Sequence, residues 1–167
     1  MGRQLANEYE VWGPTDNGRF AKYTLNELDR IFAGYGRTPD LIHWNNGLWD
    51  SALVCPEDGA FTPLDEYERY MRLILRELRK RCGKIIFAAT TPVRPVAANQ
   101  RLELIQALNA RILPVMNQER VPVNDLYSLI HNHEDEYICD DGIHLTDAGK
   151  QRCAQAVASA VRNNAVF

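Results

Sequence analysis

Residues 84–90, Lys-Ile-Ile-Phe-Ala-Ala-Thr, form a nearly unbroken apolar run between two long segments of helical spacing, and this arrangement narrows the available folds more than any other feature. Before it, Tyr67, Tyr70, Met71, Ile74, Leu75 and Leu78 trace one stripe of a helix that Thr62 or Asp65 is placed to cap and that Gly83 stops after Cys82. After it, Thr91-Pro92 closes the strand. Leu102, Ile105, Leu108, Ile112 and Val115 then predict a helix from about Asn99 to Asn117, which Pro114 bends or ends near its last turn. Residues 40–45, Asp-Leu-Ile-His-Trp-Asn, show no alternation, which predicts a second strand covered on both faces. Residues 121–126, Val-Pro-Val-Asn-Asp-Leu, predict an edge strand, because Pro122 has no N–H to give to a ladder. Strands joined by crossovers of about a dozen residues or more call for a parallel sheet with helices on its faces, a three-layer α/β/α sandwich.

The rest of the chain extends this pattern. Residues 8–13, Glu-Tyr-Glu-Val-Trp-Gly, predict a short strand stopped by Gly13 and Pro14, and Asn17-Gly18 is the predicted positive-φ corner of the turn that follows. Phe20, Tyr23, Leu25, Leu28, Ile31 and Phe32 predict a helix ended by Gly34 and Gly36. Near the carboxyl end, beyond a loop holding His131 and His133, Thr146 caps an alanine-rich helix reaching about Val161. With 167 residues and no break in composition, residues 1–167 read as a single domain. The opening Met-Gly-Arg-Gln-Leu-Ala-Asn-Glu reads as the second half of an amphipathic helix, so a chain truncated at its amino end is expected.

Composition bounds the partners. A net charge of −3 with both signs interspersed gives no electrostatic reason to bind nucleic acid or a membrane surface, and a small-molecule or carbohydrate substrate fits better. No apolar run approaches the ~20 residues that cross a bilayer, and no basic stretch followed by an apolar one opens the chain, so a soluble, cytoplasmic protein is expected. Cys55, Cys82, Cys139 and Cys153 fall in no C-x-x-C pair and read as reduced thiols.

The chemistry concentrates in residues 140–146, Asp-Asp-Gly-Ile-His-Leu-Thr. Asp141 stands three residues before His144, and Gly142 lets the backbone turn sharply enough for both side chains to face one pocket. A carboxylate so placed holds one imidazole nitrogen as N–H and leaves the other free to act as a base. Two other stretches fall just beyond strands, where sites form in open α/β sheets: Asn17-Gly18 and Asn45-Asn46-Gly47. His131, His133, Cys139, Asp140 and His144 can also be read as a metal site. Their loop is acidic and solvated, however, and no second pair of ligands converges from another strand, so neither a metal nor a cofactor is expected.

In this order the three stretches resemble the SGNH, or GDSL-type, hydrolases, a family of esterases and lipases, over nearly the whole chain. The most specific match is Asp-Gly-Ile-His-Leu-Thr-Asp-Ala-Gly, residues 141–149, which follows the family's closing Asp-x-x-His block and its capped helix. The resemblance implies a serine hydroxyl attacking an ester carbonyl, His144 as its base and Asp141 as the partner of that histidine. It also implies an oxyanion hole built from the Gly18 amide and an asparagine. In the family's third block, Gly-x-Asn-Asp, Gly47-Leu48-Trp49-Asp50 puts Trp49 where the asparagine belongs, which passes the role to Asn46 or Asn45. Trp44 and Trp49 are then candidates for the substrate wall, suited to stacking on a sugar ring.

The family's first block, a strand ending in Gly-Asp-Ser that carries the nucleophile, has no counterpart in this sequence, and Ser51, Ser128 and Ser159 do not lie in Gly-flanked turns after strands. By alignment the chain begins a few positions after that serine. An ester hydrolase whose serine lies outside the given residues is therefore expected, nearly inactive by itself; the alternative is a binding protein that keeps the pocket without the nucleophile. Without the first strand, the strands at 8–13 and 40–45 face each other across a gap. The chain is expected to be marginally stable, oligomeric, or repaired by direct pairing of those two strands.

Overall fold

A computed structural model describes residues 5, 7–55, 57 and 59–165. The helical opening read from residues 1–8 falls largely outside them. Three strands, β1 (Ile42–Trp44), β2 (Ile85–Ala88) and β3 (Val123–Asn124), form a parallel sheet in the order β1-β2-β3. Ile42 pairs with Ile85 and Trp44 with Phe87, and Phe87 and Ala88 continue the register to Val123 and Asn124. The helices are α1 (Ala21–Tyr35), α2 (Leu64–Arg79), α3 (Leu102–Gln118), α4 (Leu126–Ile130), α5 (Glu134–Tyr137) and α6 (Asp147–Asn164). Each crossover between strands contains a helix, as parallel pairing requires.

β2 is buried along its whole length because it lies in the middle and both of its faces are covered. Trp44, Ile85 and Phe87 meet Leu28 of α1, Tyr67, Met71, Ile74 and Leu75 of α2, and Leu108 and Ile112 of α3 in the main core. Ile86 and Ala88, which point the other way, are equally buried. A second cluster sets Val157, Ala158 and Val161 of α6 against Leu5, Tyr9, Val11, Leu41 and Leu126.

Four details depart from the sequence reading. Residues 8–13 form no strand; Tyr9 and Val11 pack against α6 and Leu41 instead, since an extended segment with no neighbouring strand has no ladder to join. The positive-φ corner falls at Arg19, with φ 46°, and not at Gly18. α2 has neither Thr62 nor Asp65 as its cap: Pro63 stands at that position, and Thr62 donates instead to Asp50 Oδ1 at 2.7 Å. α3 runs through Pro114 to Gln118, whereas Thr146 caps α6 as its position suggests, its hydroxyl accepting from the Gly149 N–H at 3.1 Å.

Candidate active site

The site begins with a small hairpin. Ile138 and Leu145 form an antiparallel bridge, the Cys139 N–H donates to the His144 carbonyl at 2.7 Å, and the Gly142 N–H donates to the Cys139 carbonyl at 2.9 Å. Asp141 and His144 sit at its tip. Gly142 adopts φ 78°, and a Cβ there would lie 2.6 Å from the Ala97 nitrogen, so both the turn and its packing require glycine.

Within this turn the His144 Nδ1 lies 2.6 Å from Asp141 Oδ2, while Asp141 Oδ1 accepts from the backbone N–H groups of Ile143 and His144 at 2.9 and 3.0 Å. The Ile143 N–H, then the imidazole and the His144 N–H, hold the Asp141 carboxyl down at about 2. A charged Asp141 keeps the proton on Nδ1 and leaves Nε2 as the basic nitrogen, and the His144 side chain is 80% exposed, free to meet a substrate.

Apolar packing joins this turn to the tips of the strands. Ile143 shares a cluster with Leu48, just past β1, and with Val93 and Ala97, past β2. Leu53 N–H donates to the Asn99 carbonyl at 2.6 Å, tying the loops after β1 and β2 together.

Beside β1 a buried polar network fixes the turn at residues 16–20. Asn46 is sealed from solvent. Its Oδ1 accepts from the Trp44 indole at 2.7 Å, and its Nδ2 donates to Thr24 Oγ1 at 2.9 Å and to the Arg19 carbonyl at 3.2 Å. Thr24 in turn donates to the Gly18 carbonyl at 2.6 Å, so close that a Cβ on Gly18 would meet Thr24 Oγ1 at 2.8 Å. The Gly18 N–H itself has no acceptor among the described residues. Asp50 is fully buried; it accepts from the Ala21 N–H at the start of α1 with both oxygens, at 2.9 and 3.1 Å, and burial raises its pKa.

These contacts sort the predicted residues. Asp141 and His144 touch each other, and Gly18 adjoins Asn46. Two expectations are corrected. Asn46 is buried with both amide hydrogens engaged inside the protein, which keeps its side chain from a substrate; Asn45 is the exposed member of the pair, although its Nδ2 is likewise engaged, donating to the Ala88 carbonyl at 2.6 Å and to Thr90 Oγ1 at 3.1 Å. Trp44 is 7% exposed and packs edge-on against Phe87, so it is core, whereas Trp49 is 48% exposed. The periodicity of a three-residue strand is too short to tell these environments apart.

Among the serines, Ser51 is buried and donates to the Leu48 carbonyl, Ser128 donates to Asp125, and Ser159 lies on α6. His131 pairs with Glu134, and among the described residues no three His, Cys, Asp or Glu groups converge as metal ligands. A surface groove of about 490 Å³ between α2 and α3 is lined by Asp65, Glu68, Arg69, Arg72, Arg76 and Arg111 and shares no residue with this site. Much of its charge is already internally paired.

A parallel sheet with a carboxylate-held imidazole packed beside its strand tips defines the α/β class in which hydrolytic sites of this kind occur. The chain belongs to the GDSL-like lipase/acylhydrolase family, whose model matches residues 33–152. No curated protein matches the sequence. Among solved structures, an acetyl xylan esterase, AlAXEase, is 16% identical with a TM-score of 0.78, over 96% of this chain and 87% of that one. A lipase/acylhydrolase from Enterococcus faecalis is 17% identical with a TM-score of 0.74, over 87% and 72%. A carbohydrate esterase family 3 protein from Talaromyces cellulolyticus is 16% identical with a TM-score of 0.72, over 98% and 88%. At these identities the likeness is one of fold. No helix among the described residues is long and apolar enough to cross a membrane.

Proposed function

We propose that this chain carries the base and its carboxylate for a serine ester hydrolase acting on acylated small molecules or carbohydrates, with the serine supplied from outside these 167 residues. The reading rests on one observation above the others: the 2.6 Å Asp141–His144 contact that leaves the other imidazole nitrogen toward solvent. His144 Nε2 takes the serine proton as the hydroxyl attacks the ester carbonyl, Asp141 stabilises the imidazolium, and His144 returns the proton to the departing alcohol. The tetrahedral oxyanion is held by the serine's own amide, the Gly18 N–H and the Asn45 side chain, each donor lowering the barrier by about 3 kcal/mol. The engagement of Asn45 with Ala88 and Thr90 means that it must turn outward to serve.

The exposed Trp49 supports a sugar-bearing substrate, because an indole face stacks on a pyranose ring, and the carbohydrate-ester names of two structural neighbours point the same way. Loss of glycan affinity in Trp49→Ala checks this part.

The activity test is hydrolysis of p-nitrophenyl acetate by the given chain and by the chain with a strand ending in Gly-Asp-Ser placed ahead of it. Near-inactivity is expected of the first, since losing a triad nucleophile costs on the order of 10⁶ in turnover, and activity abolished by His144→Ala is expected of the second. An extended chain that binds acylated sugars without cleaving them favours the binding-protein reading instead.

A further inference from the structure

Asp141 and His144 sit on a hairpin closed by a single antiparallel bridge, with both side chains largely in solvent. A pair on an exposed tip depends on how the tip is held, since a misplacement of about 1 Å in such a pair costs on the order of 100-fold in rate. One residue outside every motif of the family resemblance reaches this hairpin from several directions.

We propose that Arg94, in the loop after β2, is a positioning residue for the Asp141–His144 pair. Its backbone N–H donates to the Gly142 carbonyl at 2.9 Å, in the middle of the Asp-x-x-His turn, and its own carbonyl accepts from the Ala97 N–H at 3.0 Å. The short turn from 94 to 97 is thus the surface against which Gly142 is moulded. The guanidinium takes hold of the other side of the hairpin. Nη1 donates to the carbonyls of Ile138 and Cys139 at 3.4 and 3.3 Å, at the point where the chain leaves α5 and enters the hairpin. Nη2 lies 3.1 Å from the Asp135 carboxylate on α5, and Nη1 lies 3.5 Å from the carboxylate of Asp140, the neighbour of Asp141.

The carbonyl contacts do the holding. Asp135 and Asp140 are fully in solvent, where ion pairs stabilise little, while the Arg94 side chain is only 23% exposed and its carbonyl partners lie beneath it. A planar guanidinium presents several donors in a fixed fork and can span two carbonyls and a carboxylate together; an ammonium of the same charge cannot keep that geometry.

This inference rests on the proposed function, but its test does not use activity. In the full chain, the His144 Nδ1 proton, strongly deshielded by its short bond to Asp141, is followed by proton NMR, together with exchange of the Cys139 and Gly142 amides. The Ile86 and Phe87 amides of β2 serve as internal standards. Arg94→Gln is expected to erase or broaden the Nδ1 proton signal and to speed exchange of the two hairpin amides by about tenfold or more with the β2 amides unchanged; Arg94→Lys is expected to speed the hairpin amides by a smaller factor. Two results overturn the proposal: a Nδ1 signal and hairpin exchange equal to wild type in both variants, or acceleration of hairpin and β2 amides by the same factor, which marks a general loss of stability. If Arg94→Gln does not fold, Arg94→Lys decides by the same criteria. A failed ester assay of the chain extended by a Gly-Asp-Ser strand, alongside these spectral changes, removes the hydrolase reading and leaves Arg94's role standing; an active extended chain with unmoved spectra does the reverse.

Discussion

Asp141 is ionised at neutral pH, because two backbone N–H groups and an imidazole converge on one exposed carboxylate and hold it at about 2. A depressed carboxylate pKa contributes stability that is fully present above its unfolded value of 3.8 and is lost as pH falls toward 2. Carbon-13 titration of the Asp141 carboxyl is expected to give a midpoint near 2 in the native chain. In His144→Ala it should rise but stay below 3.8, since the backbone donors remain. A second prediction concerns Gly142. Alanine there has to adopt a left-handed φ and displace Ala97, so Gly142→Ala is expected to lower stability by about 1–3 kcal/mol in urea melts and to abolish the short Asp141–His144 contact. At this scale the sequence is legible where the chemistry is local: three-residue spacing around a glycine brings one carboxylate to one imidazole. It is silent where the partner is distant. Nothing near Asn46 announces that Trp44, Thr24 and Arg19 will enclose it, and nothing near Arg94 announces the carbonyls of residues 138 and 139.

At the scale of elements, β1 carries a consequence of its burial. His43 is pushed down to about 4 by desolvation, and its Nε2 lies 3.1 Å from the Asn124 side-chain nitrogen on β3. An amide nitrogen only donates, so Nε2 accepts and the ring is neutral with its proton on Nδ1. Between pH 6.5 and about 4 the unfolded chain binds a proton that the folded chain refuses, so His43 destabilises the fold as pH falls through that window. The loss amounts to about 2 kcal/mol once the residual exposure of the ring is allowed for. Urea melts at pH 7.5 and 4.5 are expected to show this drop in the native chain and a smaller one in His43→Gln, the difference between the two cancelling the titration of carboxylates common to both. The cap of α6 supplies a simpler test: Thr146→Ala leaves the Gly149 N–H without its acceptor and is expected to cost about 1 kcal/mol. Most helices and all three strands are legible because hydrophobic periodicity and terminal residues are local signals. The segment at 8–13 has the composition of a strand and is not one, because strand formation depends on a neighbour that composition does not describe.

For the whole molecule the two edges of the sheet are unequal. β3 follows Pro122, whose missing N–H discourages further pairing, and it is two residues long. β1 has neither proline nor lysine within it, and among the described residues it pairs only with β2. In a parallel ladder Ile42 and Trp44 direct their backbone groups to β2, as the Ile42 N–H does to the Lys84 carbonyl at 2.9 Å, so the N–H and C=O of His43 face the open side. Such an edge takes up whatever strand can reach it, and in a solution of this chain alone the nearest supply is the same strand of a second copy. Two copies meeting there run antiparallel about a two-fold axis, an arrangement that closes on itself. The 167-residue chain is therefore expected to sediment as a dimer at about 100 µM and to dissociate on dilution toward 1 µM, its melting temperature falling along with concentration as mass action requires. Placing a strand ending in Gly-Asp-Ser ahead of the chain should occupy the edge in cis, giving a monomer whose melting temperature no longer follows concentration. A monomer at every concentration in the unextended chain, melting cooperatively above about 60 °C, means that β1 needs no partner and that the sheet is complete with three strands.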